Sequence, residues 1–303
     1  MLNSCNEWGT LKEIILGTAT NAHWPVNCPS FRNLEKTTSW KETPVPSGPV
    51  DKKIIDETNY DLEKFRETLE SLSIKVYRPN NLDFQTFDGM YNYCPRDRLL
   101  IIGDKVIDAP MLYPTRLKEL EAIIDFIPGI IIKCEDPLVI FDAANICRLG
   151  NDLLYLVSES GNRQGGEWLQ SILPDHQIHI LDNIYSGVHI DSTISPVREG
   201  LVVLNADRIN HNNLPAIFKS WDKIWVTGDD IFPQRFTNYP YASKYIALNF
   251  LTVNPNLIIC DPHQLYLRKE LEKYNVESIG IELRHSRTLG GGHHCVTLDL
   301  VRE

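Results

Sequence analysis

The chain repeats one pattern of secondary structure, and this repetition restricts its possible folds more than any other feature. Four segments have the same shape, namely a β-strand, a tight turn and a second β-strand that ends in polar residues. These segments are residues 99–110, 146–158, 193–207 and 246–261. Their second strands begin near Val106, Leu154, Val202 and Leu257, so the repeat is 48, 48 and 55 residues long.

Helical patterns follow the hairpins. Leu117, Leu120 and Ile124 are spaced as one apolar face of a helix, and residues 267–274 repeat this spacing. Asp261 as N-cap and a proline at the next position predict where that last helix begins. Shorter helical segments are expected at residues 167–173 and 214–221. A short strand is expected after each helix, at residues 129–135, 176–182, 222–228 and 276–283.

The N-terminal third contains a fifth, looser module. A strand at residues 11–17 is followed by a helical face and a strand at 74–77. Residues 18–58 are rich in Pro, Asn and Thr and predict an irregular excursion over the surface. Five strand–strand–helix–strand modules without linkers favour a single α/β domain, residues 1–303, closed into a ring, because one module alone cannot bury its apolar face. The alternative is an α/β protein with two conventional sheets. A Rossmann fold is disfavoured because no G-x-G-x-x-G follows a strand.

Composition narrows the partners and the compartment. Hydrophobic residues make up 43% and charged residues 23%, and the net charge of −10 leaves no basic stripe for a nucleic acid. No apolar run is long enough to span a membrane, and no secretory signal is recognisable. The seven cysteines are scattered without a C-x-x-C pair, which predicts neither a zinc site nor a disulfide framework. We therefore expect a cytoplasmic protein without nucleic-acid or membrane partners, in which a thiol is free to act as a nucleophile.

Residues that can carry chemistry recur at one phase of the repeat, just before the first strand of a module. Their spacing of 45, 47, 54 and 52 residues follows the repeat itself. In a ring, positions of equal phase converge on the axis, so the pattern predicts one site with carboxylates, an imidazole and a thiol. The residues are Asp97, Asp142, His189 with Asp191, Ser243 and Cys295.

These residue types suit a guanidinium substrate. His189 and Asp191 are two positions apart and point to the same face of an extended segment. A thiol needs a base or a positive field to become a thiolate, and His189 is the candidate partner of Cys295. Paired carboxylates match the planar fork of guanidinium donors. The residues 290–292, three glycines, predict a close backbone approach. Each residue also has a purely structural interpretation, since a lone cysteine is more often a small core residue. A Cys–His protease is disfavoured because it leaves the carboxylates unexplained.

The motifs resemble those of the amidinotransferase family, which includes arginine:glycine, inosamine-phosphate and cyanobacterial-toxin amidinotransferases. The resemblance runs over nearly the whole chain. It implies the pentein fold, a five-bladed α/β-propeller with its active site on the axis. The segments that carry it are Asn6-Glu7-Trp8, Leu11-Lys12-Glu13, Leu289-Gly290-Gly291-Gly292 and His294-Cys295.

The resemblance also implies a role for each residue. Cys295 is implied to attack the guanidino carbon of L-arginine and to hold the amidino group covalently, while His189 acts as general acid and base. Asp142 and Asp97 are implied to grip the guanidinium, with Asp142 also orienting His189. The product is ornithine, the amidino group goes to an amine acceptor, and no cofactor or metal is implied. Family members are often homodimers. The residues implied to hold the α-amino and α-carboxylate groups of the donor are Asp191, Arg208 and Ser243.

The sequence departs from the family at three places. Residues 111–140 are shorter than the corresponding segment of glycine-type enzymes, which predicts a reduced lid and room for a larger acceptor. Asn145 replaces an acid, which predicts a slightly weaker negative field, and Ala242 replaces a serine that would contact the donor. Two other functions remain open at this point: hydrolysis of arginine to citrulline, as in deiminases of the same fold, and a non-catalytic pentein module.

Overall fold

The computed structural model describes residues 1–32, 45–233 and 240–303. These residues form a mixed α/β structure of short strands and few long helices. The strands are β1 Leu11–Leu16, β2 His23–Trp24, β3 Gly48–Pro49, β4 Lys75–Tyr77, β5 Leu99–Ile102, β6 Lys105–Asp108, β7 Ile131–Lys133, β8 Ile146–Leu149, β9 Asp152–Leu156, β10 Gln177–Leu181, β11 Ile194–Arg198, β12 Leu201–Asn205, β13 Asp222–Val226, β14 Leu251–Asn254, β15 Leu257–Cys260, β16 Glu277–Gly280 and β17 Thr297–Arg302. The α-helices are α1 Pro29–Arg32, α2 Lys52–Ser71, α3 Arg163–Ile172, α4 Leu265–Glu272 and α5 Ser286–Leu289. The 3-10 helices are Phe84–Phe87, Pro95–Asp97, Pro114–Ala122, Ile124–Phe126, Ala143–Asn145, Ile190–Ser192, Ala216–Phe218 and Lys244–Leu248.

Five three-stranded sheets follow one plan. Four of them have the strand orders β5-β6-β7, β8-β9-β10, β11-β12-β13 and β14-β15-β16, and the fifth has the order β17-β1-β4. In each sheet the first two strands pair antiparallel and the third strand pairs parallel to the second. The fifth sheet takes its first strand from the C-terminal end of the chain, so β1 and β17 join the two ends in one sheet. The predicted order of strands in the module is therefore confirmed; among the described residues, the helix before the third strand is an α-helix in three modules and only a 3-10 helix in the other two.

Three of the predicted hairpins turn at a glycine in the left-handed region. Gly103, Gly150 and Gly200 have φ of +61°, +83° and +83°, which explains why a glycine stands at each turn. The fourth hairpin begins later than predicted. Residues 244–248 form a 3-10 helix, and β14 starts only at Leu251.

The last helix also begins later than predicted. Gln264 occupies the N-cap of α4, three residues beyond Asp261. The Asp261 carboxylate instead accepts a hydrogen bond from the backbone N of His263 at 3.0 Å. A side chain committed to this preceding turn cannot cap the helix itself.

The segment 114–122 is a 3-10 helix with its polar side inward, which contradicts the predicted apolar face. Leu117 and Ile124 are 43% and 38% exposed, whereas Arg116 and Glu119 are buried. The buried guanidinium pairs with the Glu119 and Asp97 carboxylates, and this ionic contact decides which side faces inward.

The predicted surface excursion, residues 18–58, packs partly into the core. Trp24 and Phe31 are buried with their rings stacked at a centroid distance of 6.0 Å, and Trp24 also meets the ring of Tyr241 edge-on at 5.6 Å. The helix α2 already begins at Lys52. The part of this excursion at residues 33–44 lies outside the described residues.

A short helical turn precedes the first strand in each of the four modules that begin with β5, β8, β11 and β14. These turns are Pro95–Asp97, Ala143–Asn145, Ile190–Ser192 and Lys244–Leu248, and each contacts the next one along the chain. Equal-phase positions of consecutive modules thus lie side by side, as the repeat predicted. In the part of the chain that the structure describes, no helix is sufficiently long and apolar to cross a membrane.

Candidate active site

A cavity of about 290 Å³ opens where the helical turns meet. Six of the seven predicted site residues line it, and the seventh, Arg208, lies behind its wall. The lining residues are Tyr91, Asp97, Tyr113, Arg116, Asp142, Glu159, Tyr185, Ser186, Gly187, Val188, His189, Asp191, Ser192, Tyr241, Ala242, Ser243, Ile246, Gly290 and Cys295.

The Cys295 thiol lies in the wall between a hydrogen-bond acceptor and a donor. Its Sγ donates to Asp191 Oδ2 at 3.2 Å and accepts from Asn249 Nδ2 at 3.1 Å. The neighbouring Cys94 thiol, burial and the Asp191 carboxylate together raise the pKa of Cys295 well above its ordinary value, and only His189 opposes them appreciably. The resting thiol is therefore protonated and needs a proton acceptor before it can act as a nucleophile.

His189 is held between two carboxylates. Its Nε2 lies 3.0 Å from Asp142 Oδ2, and its Nδ1 lies 3.6 Å from Asp97 Oδ1. Burial by itself would lower the pKa of His189, but the charge of Asp97 and the hydrogen bond to Asp142 raise that pKa well above its ordinary value. The imidazole can therefore hold a proton at neutral pH and deliver it within the cavity.

The two carboxylates keep unused acceptor capacity. Asp97 Oδ1 and Asp142 Oδ1 are buried, and neither accepts a hydrogen bond from another described residue. Burial also raises the pKa of Asp97. Buried polar atoms are nearly always paired, so two such oxygens beside a cavity indicate a place for donors of a ligand.

Arg116 is a cavity residue that the sequence reasoning missed. Its Nη1 donates to Asp97 Oδ2 at 2.9 Å, and its Nη2 donates to Glu119 Oε2 at 2.9 Å. Burial raises the pKa of Glu119 to about 7. The sequence signal for Arg116 was its spacing of three residues from Glu119, at which two oppositely charged side chains of a helix meet. Residues 111–140, expected to be a reduced lid, thus contribute Arg116 and Tyr113 to the cavity wall.

Arg208 and Ser243 lie next to each other. Arg208 Nη1 donates to Ser192 Oγ at 2.9 Å, and its Nη2 donates to Ser243 Oγ at 3.3 Å. The guanidinium also stacks on the ring of Tyr185, 3.5 Å from its centroid. These contacts fix a cation directly behind one end of the cavity.

Asp191 lies next to the thiol. Besides Cys295, its Oδ2 contacts His294 Nδ1 at 2.8 Å, and His294 Nε2 lies 3.1 Å from Glu7 Oε2. Burial alone would raise the pKa of Asp191, but the hydrogen bond from His294 lowers it below its ordinary value. The motif residues Glu7 and His294 therefore support Asp191 from behind, a contact that their sequence positions did not indicate.

Asn145 and Ala242, the two residues predicted to depart from the family pattern, differ in their position. Asn145 does not line the cavity; its side chain donates to Leu156 O at 2.9 Å and to Val188 O at 3.3 Å, which fixes the backbone just before His189. Ala242 does line the cavity, and its backbone N donates to Arg287 O at 2.9 Å.

The site also offers ligands for a metal ion. One atom each of Asp97, His189 and Cys295 lies within 4.8 Å of the other two. Thiolate and imidazole suit zinc and related ions. The expectation that the reaction needs no metal stays a prediction.

The chain is similar to proteins that transfer amidino groups. It is 38% identical to inosamine-phosphate amidinotransferase 1 of Streptomyces glaucescens, over 98% of this chain and 95% of that protein. The structure of an inosamine-phosphate amidinotransferase from Streptomyces griseus matches with a TM-score of 0.92 and 34% identity, covering 100% of this chain and 97% of that one. An amidinotransferase of the saxitoxin biosynthetic pathway from Microseira wollei matches with a TM-score of 0.89 and 27% identity, covering 100% and 98%. No protein-family model matches the chain.

Proposed function

This chain belongs to the amidinotransferase family, a family of transferases, and on that premise we propose that it moves the amidino group of L-arginine to an amine and releases ornithine. The amidino group is carried by Cys295 between the two half-reactions.

One observation carries the choice of a guanidinium donor. Two buried carboxylate oxygens, Asp97 Oδ1 and Asp142 Oδ1, lack hydrogen bonds from the described residues, and their carboxylates lie on either side of the His189 imidazole. A guanidinium supplies planar N–H donors and a positive charge, which is what two such acceptors require. Cys295 Sγ lines the same cavity, with a carboxylate oxygen of Asp97 within 4.8 Å of it.

The first half-reaction uses the thiol and the imidazole as a pair. Neutral His189 accepts the proton of the Cys295 thiol, and the resulting thiolate attacks the guanidino carbon. His189 then gives this proton to the leaving nitrogen as the carbon–nitrogen bond breaks. Ornithine leaves as the free amine, and a thiouronium group remains on the sulfur. The carboxylates of Asp97 and Asp142 balance the positive charge of this intermediate.

The second half-reaction runs in the opposite direction. An acceptor amine enters, His189 removes its proton, and the amine attacks the amidino carbon. The carbon–sulfur bond breaks, and the thiolate is regenerated. One imidazole thus acts as acid in one half-reaction and as base in the other.

The α-carboxylate of arginine is assigned to Arg208 and Ser243. Ser243 lines the cavity and accepts a hydrogen bond from Arg208 directly behind it, and a guanidinium can bind a carboxylate through two parallel hydrogen bonds. The assignment of Asp191 to the α-amino group stays a prediction, since its Oδ2 already contacts Cys295 and His294.

The acceptor is an amine that tolerates a negative environment. Asp97, Asp142, Asp191 and Glu159 line the cavity, while Arg116, the single arginine or lysine among the described lining residues, is paired with carboxylates. The candidate acceptors to compare are glycine, lysine, an aminocyclitol and a precursor of a secondary metabolite. A candidate that occurs in a phosphorylated form is tested with and without its phosphate group.

We further propose that residues 1–303 form a single catalytic domain in which the five sheets close into a five-bladed propeller. The common strand plan, the contacts between consecutive turns and the pairing of β1 with β17 support this arrangement. A cytoplasmic location and a homodimer remain predictions.

Mass spectrometry of the intact protein mixed with arginine tests the covalent step. We expect added mass equal to one amidino group on the unmodified protein and on the Cys260→Ala variant, whose cysteine is equally buried but lies outside the cavity. The Cys295→Ala variant should show no added mass. An adduct that survives in Cys295→Ala, or none in any form of the protein, would contradict the proposal.

Product analysis separates transfer from hydrolysis. With labelled arginine and a panel of amines, transfer gives ornithine together with a new guanidine, and prior dialysis against a chelator should leave this activity unchanged. Citrulline as the sole product, whichever amine is present, would establish the hydrolase alternative.

A further inference from the structure

Asn249 is a buried side chain in direct contact with the nucleophilic sulfur, although it lies outside the cavity wall. It is 1% exposed, at the end of the turn that precedes β14. Its amide Nδ2 is 3.1 Å from Cys295 Sγ. Neither the repeat phase nor the family motifs singled it out.

The orientation of the Asn249 amide follows from its other contacts. Its Oδ1 accepts hydrogen bonds from the backbone N atoms of His294 and Cys295, both at 3.0 Å. Two N–H donors can meet only the oxygen of the amide, so the nitrogen must face the sulfur. The same side chain therefore fixes the backbone of the nucleophile and donates to its side chain.

The glycines before Cys295 make room for this contact. A Cβ at Gly292 would lie 2.8 Å from both Cβ and Oδ1 of Asn249 and 2.9 Å from its backbone O. These distances are shorter than real Cβ atoms accept, so only glycine allows Asn249 to approach so closely. The close backbone approach that the three glycines predicted is thus made, at Gly292, to Asn249.

We propose that Asn249 is a positioning residue that holds Cys295 Sγ toward the cavity and favours its thiolate form by donating an N–H hydrogen bond to the sulfur. The inference rests on the proposed role of Cys295 as nucleophile. Asp191 Oδ2 accepts from the protonated sulfur at 3.2 Å and favours the thiol, while the Asn249 amide can donate to the anion. The contact with Asp191 favours the protonated sulfur, and the contact with Asn249 favours the anion. The hydrogen bond from Asn249 therefore offsets part of the free energy that it costs to bury the thiolate charge.

The pH dependence of Cys295 alkylation tests the inference without any substrate. Iodoacetamide reacts with the thiolate, and the modified Cys295 peptide is quantified by mass spectrometry across a pH series. In Asn249→Ala we expect the midpoint of the alkylation curve to move upward by at least about one pH unit, which lowers the rate at pH 8 about tenfold.

A second variant keeps the amide and displaces it. Gly292→Ala changes no polar group, yet its new methyl group must push Asn249 away from the sulfur, and the alkylation midpoint should again move upward. The matched control is Asn205→Ala, an equally buried asparagine that donates to Ser192 O and does not touch Cys295. Its alkylation curve should coincide with that of the unmodified protein.

The inference would be overturned if the alkylation curves of Asn249→Ala and Gly292→Ala both coincided with the curve of the unmodified protein. Should Asn249→Ala fail to fold, Gly292→Ala decides alone. This outcome is separate from the failure of the proposed function, because the amidino adduct and the alkylation midpoint are measured independently. A protein that forms the adduct but shows no shift refutes the role of Asn249, and a shift without any adduct refutes the transfer chemistry.

Discussion

At the scale of single residues, the site works through charges that change the protonation of their neighbours. Cys295 and His189 both have a raised pKa, for different reasons: burial and acceptor groups favour the neutral thiol, while adjacent carboxylates favour the imidazolium. The two groups interact, so their titration belongs to the pair rather than to either residue. We expect kcat/KM for arginine to rise and then fall with pH, with two apparent pKa values.

Replacing one carboxylate should move the alkaline limb of this profile. Asp142→Asn removes a charge that raises the pKa of His189, so the imidazole loses its proton at lower pH and the alkaline limb shifts toward acid. The measurement is the pH profile of kcat/KM. In the control Ser243→Ala, which contacts Arg208 instead, both limbs should keep their positions while KM changes. An alkaline limb that stays in place in Asp142→Asn would show that this limb does not report on His189.

At the scale of elements, the segment 114–122 shows how a buried ion pair overrides an apolar pattern. The spacing of Leu117, Leu120 and Ile124 predicted an inward apolar face, but the inward side carries Arg116 and Glu119. The Arg116 guanidinium reaches its carboxylate partners only from the inward side, so Leu117 and Ile124 face outward while Leu120 stays partly buried against the core. This orientation fixes the guanidinium of Arg116 against the carboxylate of Asp97.

Removing that cation should destabilise the protein strongly. Arg116→Met removes the cation from the buried carboxylate of Glu119 and leaves that of Asp97 with His189 alone, at a cost of about 3–5 kcal/mol in the free energy of unfolding. Adding Glu119→Gln removes one of these charges and should recover part of the loss. Urea unfolding measures both effects. The control is Arg163→Met, which breaks a half-exposed pair with Asp182 and should change stability little. Equal losses for Arg116→Met and Arg163→Met would contradict the account.

At the scale of the whole molecule, a buried ionic network ties distant parts of the chain together. Asp299, on β17, pairs with Arg96, with Arg148 at 2.6 Å and with Arg302 at 2.7 Å. Arg148, on β8, also binds Glu7 at 2.7 Å. These contacts connect the N-terminal segment, the last strand and two further modules. Burial alone would raise the pKa of Asp299, but Arg302, Arg96 and Arg148 hold it well below its ordinary value.

The network should contribute to stability except in acid. Because the folded-state pKa of Asp299 is depressed, its contribution is complete above the ordinary aspartate pKa and is lost as pH falls toward the depressed value. Asp299→Asn should lower the free energy of unfolding at pH 7 by about 3–5 kcal/mol, because three guanidinium groups lose their shared anion. The variant should also lose less stability than the unmodified protein on further acidification.

Denaturant unfolding between neutral pH and about pH 2 measures both effects, within the range of ordinary and depressed carboxylate pKa values. The control is Asp56→Asn, which breaks an exposed pair with Lys52 and should leave the acid dependence unchanged. Parallel curves for Asp299→Asn and the unmodified protein would show that this carboxylate does not set the acid stability.

Sequence alone predicted the repeating module, the hairpins and the residues that converge on one cavity. The hairpin turns and strand periods are local properties. A fixed period places Asp97, Asp142, His189, Ser243 and Cys295 at equivalent positions, and in the structure all five line one cavity. The roles assigned to these residues stay predictions for the experiments above.

Tertiary structure decided the contacts between side chains that lie far apart in the chain. Arg116 faces inward because of a carboxylate that lies 19 residues earlier in the chain, and Asn249 reaches Cys295 across 46 residues. Trp24 and Phe31 enter the core because the ring of Tyr241, from a distant segment, packs against both of them. Such pairings depend on which side chains are close in space, and the free energy of a buried charge or amide is determined by those neighbours rather than by the spacing of residues along the chain.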